Sequence, residues 1–222
     1  MSRGNLMTDF VQKRIAMVDT QVRPSDVTKF PIIDAMLTIA REQFIPDKFK
    51  SIAYVGDHIN LSKNRVLLDP RIFAKMLDAL EVKSNQLVLV IGCGSGYGVA
   101  IISRIAEAVV GVDDPEFCLE AEECLSSQEV DNAYIVEGAL NNGDSKHGPY
   151  DSIFIEGGVE EVPETIVGQL KDGGKIIALF VDGSVGKVML GVKSGEAIAW
   201  RFEFNAMAPI LEGFEKEKKF NF

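Results

Sequence analysis

The chain contains few of the side chains that most often bind metals or carry nucleophilic catalysis. Its 222 residues include only two histidines and three cysteines. The cysteines, Cys93, Cys118 and Cys124, are an odd set without the spacing of a metal site, so we expect reduced structural thiols. Because His58 and His147 are the only histidines, a histidine-rich metal site is excluded, and the sequence predicts no metal.

Positive charge and long apolar runs are also scarce. The chain has 23 Lys and Arg against 33 Asp and Glu, which gives a net charge of −10. Binding to phosphates requires clustered Lys and Arg, so we expect neither a nucleic acid nor a membrane surface as partner. The longest plain apolar run, residues 176–181, is far shorter than a spanning helix, and residues 1–12 lack the apolar segment of a signal peptide. These absences predict a cytoplasmic protein.

What the chain does contain, from residue 66 onward, is an alternation of strand and helix patterns. Strands are predicted at residues 87–91, 108–114, 133–138, 151–158 and 175–181. Helices are predicted at residues 71–80, 97–106, 115–127 and 161–170. This alternation predicts an α/β fold with a doubly wound, mostly parallel sheet.

The N-terminal third has a helical pattern. A first helix is predicted to end at Pro24, and its apolar face would consist of Met7, Val11, Ile15, Val18 and Val22. A second helix is predicted at residues 30–41. Residues 44–70 show little periodicity and predict loop with short strands.

The sequence pattern of the C-terminal part, residues 187–204, predicts a β-hairpin. Residues 187–193 and 196–204 are two extended segments that would turn at Ser194 and Gly195 and pair antiparallel. No linker interrupts the chain, so residues 1–222 are predicted to form a single domain. Within it, a helical cap covers about residues 1–79 and a nucleotide-binding core covers about residues 80–222.

The segment "VLVIGCGSGYG", residues 88–98, has glycine at every second position from Gly92 to Gly98. A strand, a glycine turn and a helix start are typical of nucleotide-binding α/β folds. Asp113 follows Gly92 by 113 − 92 = 21 residues, which suits a carboxylate that binds ribose hydroxyls. The dinucleotide spacing G-x-G-x-x-G fails, because its third glycine would fall on Tyr97 or Val99.

The observed spacing, G-x-G-x-G, is typical of S-adenosylmethionine sites. That cofactor has no phosphate, so its site depends on close backbone approach more than on an anion-binding helix end. Two alternatives stay open at this point. The glycines could serve only a tight turn, or the site could hold NAD.

Four segments together resemble the protein-L-isoaspartate O-methyltransferase family, over residues 17–213. They are "MVDTQVRP" at 17–24, "AREQFIPDKFKSIAYVGDHINL" at 40–61, "VLVIGCGSGY" at 88–97 and "YDSIFIEGGVEEVPETIVGQLKDGGKII" at 150–177. Each segment is weak by itself, but their order and spacing are specific. The resemblance implies a Rossmann-like methyltransferase fold that binds S-adenosyl-L-methionine.

The resemblance also implies a reaction and a set of cofactor-binding residues. The family methylates the α-carboxylate of isoaspartyl residues in damaged proteins or peptides, and the ester then closes to a succinimide. Asp113 would bind the ribose, with Asp114 as the second candidate. The predicted cofactor-binding residues are Ile91, Gly92, Cys93, Gly94, Gly96, Asp113, Asp114, Gly138, Ala139 and Glu156.

The chain departs from the family pattern at positions expected to be functional. In "NRVLLDP", residues 64–70, Arg65 stands where the family has Gln, and Val66 and Leu68 stand where it has Thr and Ser. The predicted acceptor site is Arg65, Val66, Leu68 and Asp69. Arg65 would either pair with the acceptor carboxylate or lie solvated in a loop.

Two departures concern the cofactor. Ala139 replaces an Asp that typically faces the adenine, and Glu156 replaces a Thr. Glu156 would either contact the cofactor or be a strand-end acid that faces solvent.

The sequence therefore predicts an isoaspartyl methyltransferase whose activity is weakened by lost acceptor-site hydroxyls. Two alternatives are a methyltransferase of the same fold with another acceptor, and a non-enzymatic descendant that binds a cofactor or a protein. The oligomeric state is not predicted.

Overall fold

The computed structural model describes the backbone of residues 3–216 and the side chains of residues 9–216. Its strands are β1 Ile59–Ser62, β2 Arg65–Leu67, β3 Leu87–Ile91, β4 Ala108–Asp113, β5 Ala133–Glu137, β6 Tyr150–Val159, β7 Leu170–Asp182, β8 Val185–Ser194 and β9 Ala197–Asn205. Seven of them form one sheet in the order β5-β4-β3-β6-β7-β8-β9, and β1 and β2 form a separate antiparallel pair.

The pairing within the large sheet confirms the predicted fold class. Strands β3 to β7 pair with one another in parallel. Strands β8 and β9 continue the sheet as an antiparallel hairpin. Because parallel strands need crossovers, the helices between them lie against the sheet and bury it.

The α-helices are α1 Arg3–Met17, α2 Phe30–Thr38, α3 Pro70–Leu80, α4 Tyr97–Ser103, α5 Pro115–Ser127 and α6 Glu164–Gly168. Buried apolar side chains form two clusters. The larger cluster joins the N-terminal helices, α3 and α4 to β3, β6 and β7, and the smaller one joins Ile166 of α6 and the C-terminal Phe214 to the sheet. In the described residues, no helix is both long and apolar enough to cross a membrane.

The N-terminal apolar face was predicted only in part. Val18 and Val22 are buried, but Val11 and Ile15 are 46% and 39% exposed, and Arg14 is buried instead; the side chain of Met7 is outside the described residues. The reason is a π-helical segment at Val18–Val22. Its wider turns rotate the following residues relative to α1, so one straight stripe cannot stay on one face.

Arg14 is buried because two polar partners surround it. Its Nε donates to Tyr54 Oη at 3.0 Å, and its Nη2 lies 3.3 Å from Glu42 Oε1. The Tyr54 hydroxyl in turn donates to Glu42. Burial, and then the hydrogen bond to Glu42, raise the pKa of Tyr54. This trio attaches α1 to the segment that leads to β1.

Several element ends differ from the sequence prediction. Helix α2 ends at Thr38, α4 ends at Ser103, and α6 spans only Glu164–Gly168. Helix α6 begins late because Pro163 precedes it in extended conformation, while the backbone N–H groups of Glu160 and Glu161 donate to Phe214. The short strands predicted within residues 44–70 are confirmed as β1 and β2.

Candidate cofactor and acceptor site

The glycine turn after β3 has the backbone geometry that the sequence predicted. Gly92, Gly94 and Gly96 have φ angles of 76°, 53° and 91°, a region that L side chains avoid. Gly96 is also the N-cap residue of α4. Gly98 serves a different purpose, because a Cβ there would lie 2.2 Å from Oε2 of Glu156. Three glycines thus shape the backbone and the fourth permits side-chain packing.

Asp113 lies directly beside this turn. It ends β4, which pairs in parallel with β3, so both strand ends meet at one edge of the sheet. The carboxylate is fully buried and accepts hydrogen bonds from the backbone N–H of Gly94 at 2.6 Å and of Asp114 at 2.8 Å. The predicted proximity of Asp113 to the glycines is therefore observed.

Arg65 occupies the remaining positions on the Asp113 carboxylate. Its Nη1 donates to Oδ1 at 2.7 Å, and its Nη2 makes a second short hydrogen bond to Oδ2. The guanidinium is also stacked over the ring of Phe117, 4.7 Å from its centroid. Burial by itself would lower the pKa of Arg65, but hydrogen bonds to Asp113 and its charge outweigh burial and raise that pKa. The alternative of a solvated loop residue is wrong, because Arg65 is buried. Both arms of its guanidinium bind Asp113 in this structure, and pairing of Arg65 with an acceptor carboxylate stays a prediction.

Two leucines close the space around the turn. A Cβ on Gly94 would lie 2.8 Å from Cδ1 of Leu61, and one on Gly92 would lie 3.0 Å from Cδ1 of Leu211. Leu211 belongs to a C-terminal segment that the sequence did not predict to be here. That segment pairs with Gly158, whose N–H donates to Pro209 O at 2.8 Å and whose carbonyl accepts from Leu211 N at 2.9 Å.

A cleft of about 490 Å³ adjoins the pair of Arg65 and Asp113. It carries more acidic than basic side chains, and its lining consists of Ser62, Lys63, Asn64, Arg65, Asp114, Glu116, Phe117, Ile210, Glu212 and Glu215. The Asp114 side chain is 55% exposed, and its Oδ2 lies 3.8 Å from Arg65 Nη1. The cleft therefore favours a ligand with positive charge.

Glu156 is buried near the start of α4. It is 3% exposed and lies against Gly98, and among the described residues its Oε2 has no hydrogen-bond partner. Burial raises its pKa to about 8, although Arg41 and Arg65 oppose that change. The alternative of a solvent-facing acid is therefore wrong, because the Glu156 side chain is buried against Gly98 of helix α4.

Arg41 is a buried residue that the sequence prediction did not place near the site. Its Nε and Nη2 each donate at 2.8 Å, to the carbonyls of Ala53 and Leu68. Its guanidinium is stacked 4.9 Å from the ring centroid of Tyr97, the first residue of α4. The sequence signal for Arg41 was the segment at 40–61, in which Arg41 directly precedes Glu42. The structure shows that both residues are buried.

Of the other acceptor-site candidates, two have structural roles. Leu68 is 1% exposed and belongs to the larger core cluster. Asp69 is the N-cap of α3, and its Oδ1 accepts from Arg71 N at 2.7 Å. Both predictions are corrected in the same way: these side chains point into the fold and not toward an acceptor. Val66 is half-buried.

The remaining cofactor candidates surround the turn in different ways. Ile91 and Cys93 are buried, and burial raises the pKa of the Cys93 thiol well above its usual value. Gly138 follows β5 and donates to Asp113 O at 3.0 Å, while Ala139 is exposed beside it. Among the side chains of residues 9–216, no three from His, Cys, Asp or Glu are grouped to hold a metal ion.

The family model described as protein-L-isoaspartate(D-aspartate) O-methyltransferase matches residues 13–198. The chain belongs to this family. A protein-L-isoaspartate O-methyltransferase of Pelotomaculum thermopropionicum is 31% identical over 167 residues, which are 75% of this chain and 73% of that protein. One of Helicobacter pylori strain P12 is 30% identical over 185 residues, which are 82% of this chain and 88% of that protein.

Solved structures of isoaspartyl methyltransferases share the fold. One superimposes with a TM-score of 0.81 at 25% identity and covers 90% of this chain and 66% of its own. A Plasmodium falciparum structure in complex with S-adenosyl-L-homocysteine has a TM-score of 0.76 at 18% identity, with 89% and 97% coverage. This chain therefore has the fold of the isoaspartyl methyltransferases, and it places the charged side chains of Arg65 and Glu156 beside the glycine turn and helix α4.

Proposed function

We propose that the protein is an S-adenosylmethionine-dependent methyltransferase that methylates isoaspartyl carboxylates in damaged proteins and peptides. One observation carries the proposal: in a chain of this family, a glycine turn with three positive φ angles meets the fixed carboxylate of Asp113. The proposed cofactor-binding groups are the backbone of residues 91–96 and the side chain of Asp113. Asp114 and Gly138 border the same edge of the sheet.

The residues fit this cofactor in shape and charge. Gly92 and Gly94 leave the backbone bare of Cβ atoms, which close approach of an amino acid and a ribose requires. The adjoining cleft of about 490 Å³ has room for a nucleoside, and its four carboxylates suit a positively charged sulfonium compound. The ribose of the cofactor can bind Asp113 only if the Arg65 side chain first leaves that carboxylate.

The reaction does not require a general acid or a general base from the protein. When bound, the cofactor supplies a methyl group already activated by its sulfonium. The acceptor carboxylate is ionised at pH 7, so this chain's residues need not remove a proton. Their work is to align the acceptor and to exclude water.

Methyl transfer to a different acceptor is the second candidate function. It is favoured by Val66 and Leu68, which carry no hydroxyl where the family pattern has Thr and Ser. Leu68 is moreover in the core, so an acceptor would meet backbone groups or Val66. A site with fewer hydroxyl donors binds a carboxylate less tightly, by about 1.5–3 kcal/mol for each hydrogen bond lost.

The deciding experiment is transfer of a labelled methyl group from S-adenosylmethionine to a peptide that contains one isoaspartyl residue. The matched control is the same peptide with normal aspartate. We expect base-labile label on the isoaspartyl peptide alone, and far less of it with the Asp113→Asn protein. Label on neither peptide, with S-adenosylhomocysteine still bound in calorimetry, would favour the second candidate. Loss of binding as well would leave a non-enzymatic role.

A further inference from the structure

We infer that the hairpin formed by β1 and β2 is a latch on the cofactor site, and that Arg65 and the ribose of the cofactor compete for the Asp113 carboxylate. The inference rests on the proposed function, because it names the regulation of the same site. It assigns Arg65 to neither acceptor binding nor catalysis. Three features of the structure carry it.

The first feature is that the Asp113 carboxylate has no free capacity. A carboxylate has about four lone-pair positions for hydrogen bonds. Arg65 Nη1 and the Asp114 N–H occupy those of Oδ1, while Arg65 Nη2 and the Gly94 N–H occupy those of Oδ2. The backbone N–H groups belong to the glycine turn and to the residue that follows β4, and they stay in place. A ribose diol can therefore bind Asp113 only after the Arg65 side chain has left.

The second feature is that one element carries both obstructing side chains. Leu61 is on β1 and Arg65 begins β2, and both reach the glycine turn, at Gly94 and Asp113 respectively. The hairpin is not part of the seven-stranded sheet. An isolated two-stranded hairpin is marginally stable, so its tip can move without opening the main sheet.

The base of the hairpin is buried while its tip is exposed. Ile59 and Leu67 belong to the larger core cluster, whereas Ser62 at the end of β1 and the turn residues Lys63 and Asn64 are exposed. Asn64 at the tip has a φ of 61°, as expected for a tight turn. Motion of the tip about this base would withdraw Leu61 and Arg65 together.

The third feature is a second position for the released guanidinium. Asp114 Oδ2 already lies 3.8 Å from Arg65 Nη1, and Glu116 lines the same cleft. Arg65 can exchange a buried carboxylate for solvated ones without losing a charged partner. The site therefore has two arrangements, and the cofactor binds one of them. The apparent affinity for the cofactor is therefore lower than that of the open arrangement, in proportion to the fraction of molecules that are open.

The test is calorimetric titration of the unmodified protein, Arg65→Gln and Arg201→Gln with S-adenosylhomocysteine. Gln is the family residue at position 65, and Arg201 is a matched control because its pair with Glu203 is at the surface. We expect Arg65→Gln to bind at least about tenfold more tightly than the unmodified protein and Arg201→Gln to bind as the unmodified protein does. Equal or weaker binding by Arg65→Gln, beside measurable binding by the unmodified protein, would overturn the latch and leave the proposed function intact. No binding by any of the three folded proteins would overturn both.

A kinetic measurement on the unmodified protein decides the matter even where Arg65→Gln does not fold. If the latch must open first, the observed rate of S-adenosylhomocysteine association levels off as its concentration rises. A rate that rises linearly over the whole accessible range contradicts the latch. Leu61→Ala, which leaves the ion pair intact, gives a second comparison, and we expect a higher plateau because one obstructing side chain is gone.

Discussion

Arg65 and Asp113, 48 positions apart in the chain, share two hydrogen bonds, and both residues are buried. Removing one member of a buried ion pair leaves the other charge buried without a partner, which typically destabilises the folded protein by about 3–5 kcal/mol. We expect Arg65→Met to lower the free energy of unfolding by about that amount in urea denaturation, and Arg65→Met with Asp113→Asn to recover part of it. Arg201→Met should change stability by less than about 1 kcal/mol. A similar small effect at both arginines would mean that the pair is solvated.

Gly94 tests whether the turn serves the cofactor or only the chain direction. Its φ of 53° is strained for a branched residue, and a Cβ would lie 2.8 Å from Leu61 Cδ1. We expect Gly94→Val to cost about 1–3 kcal/mol in thermal denaturation and to abolish S-adenosylhomocysteine binding in calorimetry. Gly168→Ala is the control, because nothing lies within 4 Å of its added Cβ. Normal binding by Gly94→Val would show that the glycines are needed for the turn alone.

Glu156 makes stability depend on pH in a stated direction. Burial raises its pKa in the folded protein to about 8, from an ordinary value of 4.5. Between these values the unfolded chain releases a proton that the folded protein keeps, so the contribution of Glu156 to stability falls as pH rises from 4.5 to about 8 and is constant above it. Glu156→Gln removes this dependence. We expect its stability relative to the unmodified protein to rise between pH 5 and 8, by on the order of 1–3 kcal/mol.

The measurement is urea denaturation of both proteins at several pH values across that window. Glu161→Gln is the control, since Glu161 is exposed. Parallel stability curves for Glu156→Gln and the unmodified protein would contradict a protonated, buried Glu156.

Substitutions at Val66 and at Leu68, in the predicted acceptor segment, should have different effects on stability. Leu68 is in the core, so Leu68→Ser deletes buried apolar atoms and should cost about 2–5 kcal/mol. Val66 is half-buried, so Val66→Thr should cost about 1 kcal/mol or less. We expect Val66→Thr alone to raise kcat/KM for an isoaspartyl peptide, because a hydroxyl donor returns without loss of packing. An unchanged kcat/KM would place the acceptor elsewhere.

Periodicity was enough to predict the sheet. Strand β3 and helix α5 have the predicted bounds, Leu87–Ile91 and Pro115–Ser127, because each is a continuous apolar or amphipathic run between clear end signals. The face of α1 was mispredicted because a π-helical segment has no signature in residue spacing. Buried Arg14 gave no signal either, since its partners Glu42 and Tyr54 are distant in the chain.

The site was predictable in its backbone and not in its side chains. The glycines and Asp113 lie at a fixed spacing within one strand–helix–strand unit, β3 to β4, which the sequence displays. Arg65 and Leu211 reach the same place from β2 and from the C-terminal segment, through contacts that span 48 residues for Arg65. Such contacts depend on the tertiary fold, so Arg65 was interpreted as a loop or acceptor residue when it is the partner of the predicted ribose ligand.

The stacking of Arg41 on Tyr97 has a consequence for the order of events during synthesis. Arg41 emerges from the ribosome before helix α4, which carries Tyr97, has been translated. At ordinary elongation rates of roughly 5–20 residues per second, the N-terminal helices wait several seconds for the surface on which they pack. During that interval Ile33, Met36 and Phe44, all buried in the finished fold, are exposed to the surroundings. We expect the nascent chain to be vulnerable to aggregation and to need a chaperone until about residue 100 is outside the ribosome.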